Sequence, residues 1–338
     1  MYTEEWLDSL LATPSKALIE DIVKIKGDIL LLGAGGKMGP TLCLLVRNAC
    51  KAANISKRVI AVSRFKDDIA AKLLQDNSIE IISADLLEEN TLNKLPDCEN
   101  IIYMAGRKFG TEGQEYLTWA MNSWLPSRVA ERYKNSHIVV FSSGNIYPFV
   151  PVCSGGCDEN TKPNPVGEYA MSCLARERMF EYASNTFGTK VLIYRLNYAI
   201  DLRYGVLHDI AADILNGNPI SVSTPVFNCI WQGDANEAAI RSLLHCTSPA
   251  SKLNVTGPET VSVRYAADKL GALLGKEPVF SGTEDINALL SNSSKAVKLF
   301  GYPTYGIEEM VEMQAKWILN GGRSLGKPTH FEQRKGCF

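Results

Sequence analysis

Three glycines at a spacing of three, Gly33, Gly36 and Gly39, follow the apolar run Ile29 to Leu32. Glycine lets the backbone bend sharply and approach a diphosphate closely, and a helix opening at the bend turns its amides and dipole toward the anion. That helix runs on through Thr41-Leu42-Cys43-Leu44-Leu45-Val46, with Lys37 and Met38 inside the bend, so residues 33–39 read as a dinucleotide site. The same spacing also suits plain turn chemistry, and only the surrounding elements decide between the two.

A second chemical choice stands at the end of the next apolar run, Val59 to Val62. A carboxylate there grips the ribose hydroxyls of NAD, whereas a base accommodates the extra phosphate of NADP. Ser63 and Arg64 occupy the position and point to NADP; a solvated Arg64, with Asp67 or Asp68 on the ribose, would point to NAD. The cofactor is thus NAD or NADP. Cys153 and Cys157 lie close enough in sequence for half a metal site, but none of the four histidines is near them, so no metal is expected. The nine cysteines are an odd number, scattered mostly through apolar stretches, which suits reduced, buried thiols better than a disulfide framework.

The elements that position these residues follow a regular order. Four unalternating apolar residues before the bend read as a strand buried on both faces, as in a parallel sheet. Strand-like runs recur at Val59 to Val62, Ile79 to Leu86, Ile101 to Gly106, His137 to Phe141 and Lys190 to Arg195, with helical segments between. This alternation predicts an α/β fold, a Rossmann-type doubly wound parallel sheet that binds ligands at the carboxyl ends of its strands. Ahead of it, Trp6, Leu7, Leu10 and Leu11 fit one helical face and Leu18, Ile19, Ile22 and Val23 another, broken at Thr13-Pro14-Ser15. The expected organisation is a helical extension over 1–26, packed on the core or on a second subunit, then a dinucleotide-binding domain over 27–197. Residues 198–338 form mainly a smaller substrate-binding lid, with some segments returning to the first domain. Residues 148–166, rich in Pro, Gly and Asn, read as an active-site loop, and 326–332 as a docked strap.

At 338 residues the chain is long for one hydrophobic core, which fits that division. A net charge of −2 supplies no field to attract nucleic acid or anionic lipid, and neither is expected as a partner. No apolar run reaches membrane-span length, and the start Met1-Tyr2-Thr3-Glu4-Glu5-Trp6 is acidic where a signal peptide is basic, so a cytoplasmic protein is expected.

Several motifs in order resemble one family over residues 28–320, the extended short-chain dehydrogenase/reductases of the NAD-dependent epimerase/dehydratase group. The glycine triplet matches, as do Asp85-Leu86 on the adenine side, Ala105-Gly106 beside the cofactor, and Asn122 in Met121-Asn122-Ser123. Ser142-Ser143-Gly144-Asn145-Ile146-Tyr147 resembles the family's serine motif, and Glu159 to Pro165 with Glu168-Tyr169 the loop leading to its tyrosine. Arg195-Leu196-Asn197, Trp231-Gln232-Gly233-Asp234 and Asn254-Val255-Thr256-Gly257 resemble later landmarks.

The resemblance implies an enzyme that moves a hydride between a nicotinamide and a hydroxyl or ketone carbon of a sugar or nucleotide-sugar-like substrate. Tyr169 would be the acid/base, Ser143 would hold the same oxygen, and Asn122 would complete the catalytic set. Asn197 and the residue at 173 would lie against the cofactor. Arg107, Asn145, Tyr198, Arg203 and Tyr204 would face the substrate, with Asp201 and His208 in the same cluster; Arg203 also suits an ordinary salt bridge. Trp231 and Asp234 fit either the pocket or a structural contact. A homodimer paired through helices flanking the sheet, including the one bearing Tyr169, is also implied.

One departure bears on the chemistry. The family carries a lysine four residues after the tyrosine, and here Cys173 stands there. A phenol titrates near 10, so only about one part in a thousand is ionised at neutral pH without a nearby positive charge. Three readings follow: Arg176, Arg107 or Lys108 substitutes for the charge; Tyr169 works more slowly with help from the oxidised nicotinamide; or the protein is a dinucleotide-binding sensor or scaffold with little turnover.

Overall fold

The computed structural model describes residues 2–65, 68–110 and 112–336; Asp67 lies outside them, and nothing is described of the Asp68 side chain. Seven parallel strands form the central sheet: β1 (Ile29–Leu32), β2 (Val59–Ser63), β3 (Glu80–Ser83), β4 (Asn100–Tyr103), β5 (His137–Ser143), β6 (Lys190–Leu196) and β7 (Ser251–Val255). Their order across the sheet is β7-β6-β5-β4-β1-β2-β3. Ile29 pairs in register with Val59 on one side and Asn100 on the other, placing β1 in the sheet interior next to the middle strand β4. All four residues of β1 and of β4 are buried, as unalternating apolar strands between two helical layers require. Sequence order reverses between β1 and β4, so the crevice opens above the carboxyl ends of those two strands.

Helix α1 (Glu4–Leu11) is capped by the Thr3 hydroxyl and α2 (Lys16–Ile22) by that of Ser15, which is why the chain breaks at Thr13-Pro14-Ser15. Both pack on this chain: Leu18 and Ile22 join the core on one face of the sheet. Leu7 and Leu11 instead join a second cluster built from residues 200–331. Val23, assigned above to the apolar face of α2, is exposed. α3 (Gly39–Ala52) follows β1 directly, with Pro40 in its first turn and no side-chain cap, so its N-terminal amides stay available to a ligand.

A short helix (Glu115–Trp119), a π-helical turn (Ala120–Trp124) and α4 (Leu125–Arg132) lie against α5 (Gly167–Phe187), the helix that carries Tyr169. The second cluster is organised around α6 (Val206–Asn216), α7 (Val263–Leu274) and α8 (Ile307–Leu319). Beyond α8 the chain doubles back: Phe331 is buried against Phe227, and the Arg334 guanidinium donates to the carbonyls of Ser223 and Asn287. Gly336 comes to rest on Val166 and Gly167, at the start of α5. Among the described residues, no helix is long and apolar enough to cross a membrane, and no group of three or more His, Cys, Asp or Glu could hold a metal ion.

Candidate active site

A crevice of about 440 Å³ lies where the topology places it. Its floor is the glycine bend. Gly33 has φ +94°, and a Cβ there would sit 2.5 Å from the Ala105 backbone nitrogen, so only glycine lets β1 and β4 end side by side. A Cβ on Gly39 would stand 2.1 Å from the Ala34 carbonyl oxygen, so that glycine serves the packing of α3 on the bend and does not line the crevice. Gly36, Lys37 and Met38 do line it.

The sheet wall carries Met104, Gly106, Arg107, Phe141, Ser143 and Asn145 from the ends of β4 and β5, with Tyr169 and Arg176 from α5. Ser143 is buried; its hydroxyl donates to Asn145 Oδ1 and accepts from the Asn145 amide, both at 3.1 Å. Ser143 and Cys173 both lie close enough to the Tyr169 hydroxyl to act on its ionisation. Burial pushes the Tyr169 phenol above its ordinary value and Cys173 raises it further, while the Arg176 charge and the Ser143 hydrogen bond oppose the rise.

Asn122 sits behind this wall, fully buried in the π-helical turn, and does not reach the crevice. Its Oδ1 accepts from the Arg107 amide and from Arg176 Nη2, each at 2.8 Å; its Nδ2 donates to the Arg107 carbonyl at 2.8 Å and to Ser172 Oγ at 3.0 Å. Expected as a catalytic group, it instead clamps the backbone after β4 and positions Arg176. Cys173, expected against the cofactor, is fully buried beneath Tyr169 and outside the crevice lining. Ala105 contributes its backbone, packed against Gly33.

The opposite wall is made of loops. Asn197, Tyr198, Ala199, Ile200, Tyr204 and Gly205 line it, joined by Lys327 and Thr329 from the chain's last segment. Thr329 is anchored by its amide and hydroxyl, both donating to Asp209 Oδ2, at 2.7 and 2.6 Å. Its carbonyl accepts from Lys108 Nζ at 3.1 Å, tying the loop wall to the sheet wall. Lys37 spans the same gap from the bend, donating to the Ala199 carbonyl at 2.7 Å with its ammonium 3.7 Å from the centre of the Tyr204 ring. Desolvation lowers Lys37 to about 7 and Lys108 to about 8.

Several expected substrate contacts belong elsewhere. Arg203 is buried and held by Asp201, Glu4 and Asp8 at 3.1, 3.0 and 2.8 Å, so it ties α1 to the second cluster instead of facing a ligand. His208 bonds the Leu202 carbonyl and Ser324. Asp234 accepts from the amide and hydroxyl of Thr304, and Trp231 is buried in the second cluster, so both make structural contacts. Ser63, Arg64, Asp85 and Leu86 lie at the ends of β2 and β3, outside the crevice lining. The Arg64 guanidinium is exposed, 3.8 Å from the Asp85 carboxylate, and Leu86 is a core residue.

Behind Ser143 a buried network fixes three strands and α5. Glu177 accepts from Ser142 Oγ at 2.6 Å and from two nitrogens of Arg195 at 3.0 and 2.7 Å. Arg195 also donates to the Tyr147 hydroxyl, which donates to Asn254 at 2.8 Å. Sequence reasoning missed Met104, Phe109 and Phe141, which a strand-end argument could have found. It also missed Ala199, Ile200, Gly205, Lys327 and Thr329, the last two brought in by a chain reversal that no local signal announces.

The profile of the NAD-dependent epimerase/dehydratase family matches residues 29–227, well over half of the chain. The chain belongs to that family. No match is found among curated proteins. Among solved structures, family members share the fold at low sequence identity. UDP-glucuronic acid 4-epimerase from Bacillus cereus, in complex with NAD, aligns at TM-score 0.72 and 18% identity, over 87% of this chain and 99% of its own. MoeE5 in complex with UDP-glucose and NAD gives 0.71 and 20%, over 87% and 99%. The UDP-Glc/GlcNAc 4-epimerase of the human pathogen Campylobacter jejuni gives 0.70 and 18%, over 87% and 100%. The chain's seven-strand sheet is the fold shared with these structures.

Proposed function

We propose that this protein is an NAD(P)-dependent enzyme acting at a hydroxyl or ketone carbon of a nucleotide-sugar-like substrate. The observation that carries the reading is the convergence of Tyr169 and Ser143 with the glycine bend on one crevice. The residues present suit a dinucleotide. The bend is cleared of side chains where β1 meets β4, the first amides of α3 are uncapped, and Nε of Arg107 and of Arg176 are buried without a partner among the described residues. When bound, the nicotinamide accepts a hydride from the substrate carbon or returns it.

The protein's own share is proton handling and orientation. Tyr169, as the phenolate, takes the hydroxyl proton as the carbon is oxidised and gives it back on reduction, and Ser143 turns its one proton from Asn145 Oδ1 to the same oxygen while the Asn145 amide still donates to the Ser143 oxygen. Lys37, Arg107, Lys108 and Lys327 line the crevice with no carboxylate among its described lining residues, which favours an anionic substrate such as a nucleoside diphosphate sugar. The UDP-sugars named in the two complexed neighbours fit that chemistry. Ser63 and the exposed Arg64 at the end of β2 favour NADP, although those neighbours hold NAD.

Tyr116, Trp119 and Trp124, with Tyr182 and Phe187 of α5, expose large rings on adjoining helices, which favours pairing of two copies there. Mixing the protein with NAD or NADP and a panel of nucleoside diphosphate sugars, while following nicotinamide absorbance and product sugars, tests the function. Conversion of any panel member supports it. Tight dinucleotide binding without conversion across the panel would favour the sensor reading.

A further inference from the structure

A phenol that must lose and regain a proton at neutral pH needs a positive charge beside it, and Cys173 supplies none. Burial works against ionisation of both groups, pushing the Tyr169 phenol and the Cys173 thiol upward together. Among the described residues, Cys173 and Arg176 on its own helix and Ser143 on β5 act on the Tyr169 phenol. Lys108, after β4, faces Cys173; burial lowers its pKa to about 8, so it keeps most of its charge at neutral pH and loses it as pH rises above 8.

Arg176 is seven residues beyond Tyr169, two turns along one face of α5. It is 5% exposed and lines the crevice. Nη1 donates to the Phe141 carbonyl and Nη2 to Asn122 Oδ1, both at 2.8 Å, while Nε has no partner among the described residues. Both acceptors are neutral, and among the described residues no carboxylate pairs with Arg176; the adjacent Glu177 is spent on Arg195. A Cβ on Gly106 would lie 2.7 Å from Nη2, so the absence of a side chain at 106 makes room for the guanidinium at the end of β4. The charge is therefore fixed, unneutralised and permanently protonated, since a guanidinium does not titrate in proteins.

We propose that Arg176 is the positioning residue that supplies the positive charge for the Tyr169 phenolate, with Asn122 and the Phe141 carbonyl holding it in place. The inference rests on Tyr169 being the acid/base, and it deepens that reading. It departs from an ammonium at 173 in one respect: a guanidinium cannot lose its proton, so the supporting charge persists to high pH.

The test replaces Tyr169 with a polyfluorinated tyrosine, whose phenol ionises several units lower, and follows its ¹⁹F shift against pH in the cofactor-free protein. Arg176→Gln, which keeps donors for Asn122 and Phe141, and Arg176→Met should each raise the midpoint by about one unit or more. With the natural tyrosine, turnover in either variant should fall about a hundredfold, its pH profile should move upward, and Cys173→Lys in the same chain should restore at least about a tenth of it. Should both neutral variants fail to fold, Arg176→Lys becomes the measurement: a midpoint within about half a unit of the parent supports the proposal. An unmoved midpoint in a folded neutral variant overturns it, as does an Arg176→Lys midpoint raised by a full unit. Full turnover in Tyr169→Phe would instead remove the acid/base reading beneath it.

Discussion

The two walls of the crevice are built by different means. The sheet wall rests on strands with almost no exposed atoms and is backed by the Glu177–Arg195 pair, so Ser143, Tyr169 and Arg176 have little room to move. The loop wall is assembled from residues 197–205 and 327–329, distant in sequence, and is held by Asp209, Lys108 and the burial of Phe331. Under the proposed function, chemistry that tolerates little displacement would fall to the first wall, and recognition that differs between substrates to the second.

Breaking the support of the sheet wall should have the largest effect. Arg195→Met leaves the Glu177 carboxylate buried without its partner, and thermal or denaturant unfolding should record a loss of about 3–5 kcal/mol. Gly33→Ala comes next: its Cβ meets the Ala105 backbone at 2.5 Å, and the bend cannot move without displacing β4. Titration calorimetry should show dinucleotide affinity reduced about a hundredfold, with a lower melting temperature.

The loop wall should respond differently. Phe331→Ala removes the buried anchor of the last segment, and KM for the sugar substrate should rise about tenfold while kcat changes less. If kcat falls as steeply as KM rises, the division of labour between the walls is wrong. The smallest effect concerns Lys37, whose amine burial lowers to about 7. In the free protein it is mostly neutral above that pH, and a bound diphosphate must restore its proton. Dinucleotide affinity should therefore weaken as pH rises from 7 toward 9, and Lys37→Met should flatten that slope by a few-fold.

The contrast between walls is also one of legibility. β1, its glycine bend and the end of β5 at 143 were readable because buried parallel strands and close backbone approaches impose residue types over a few positions. The role of Asn122 was misread: the motif marks its place, but only the π-helical turn shows that it faces Arg107 and Arg176 instead of the crevice. Arg203 was half-read, since a salt-bridge arginine and a ligand arginine look alike until Glu4 and Asp8 arrive from the far end of the chain. Lys327 and Thr329 lie in the segment read as a docked strap, but nothing local said where it docks, because its place depends on a reversal anchored by Phe331 and Arg334.

The account stands on the phenol of Tyr169 serving chemistry and not the binding of the dinucleotide. Tyr169→Phe, measured for dinucleotide affinity by calorimetry and for turnover by nicotinamide absorbance or sugar product, separates the two. Affinity within about threefold of the parent with turnover lowered by about a thousandfold is the expected result. Turnover equal to that of the parent would contradict it.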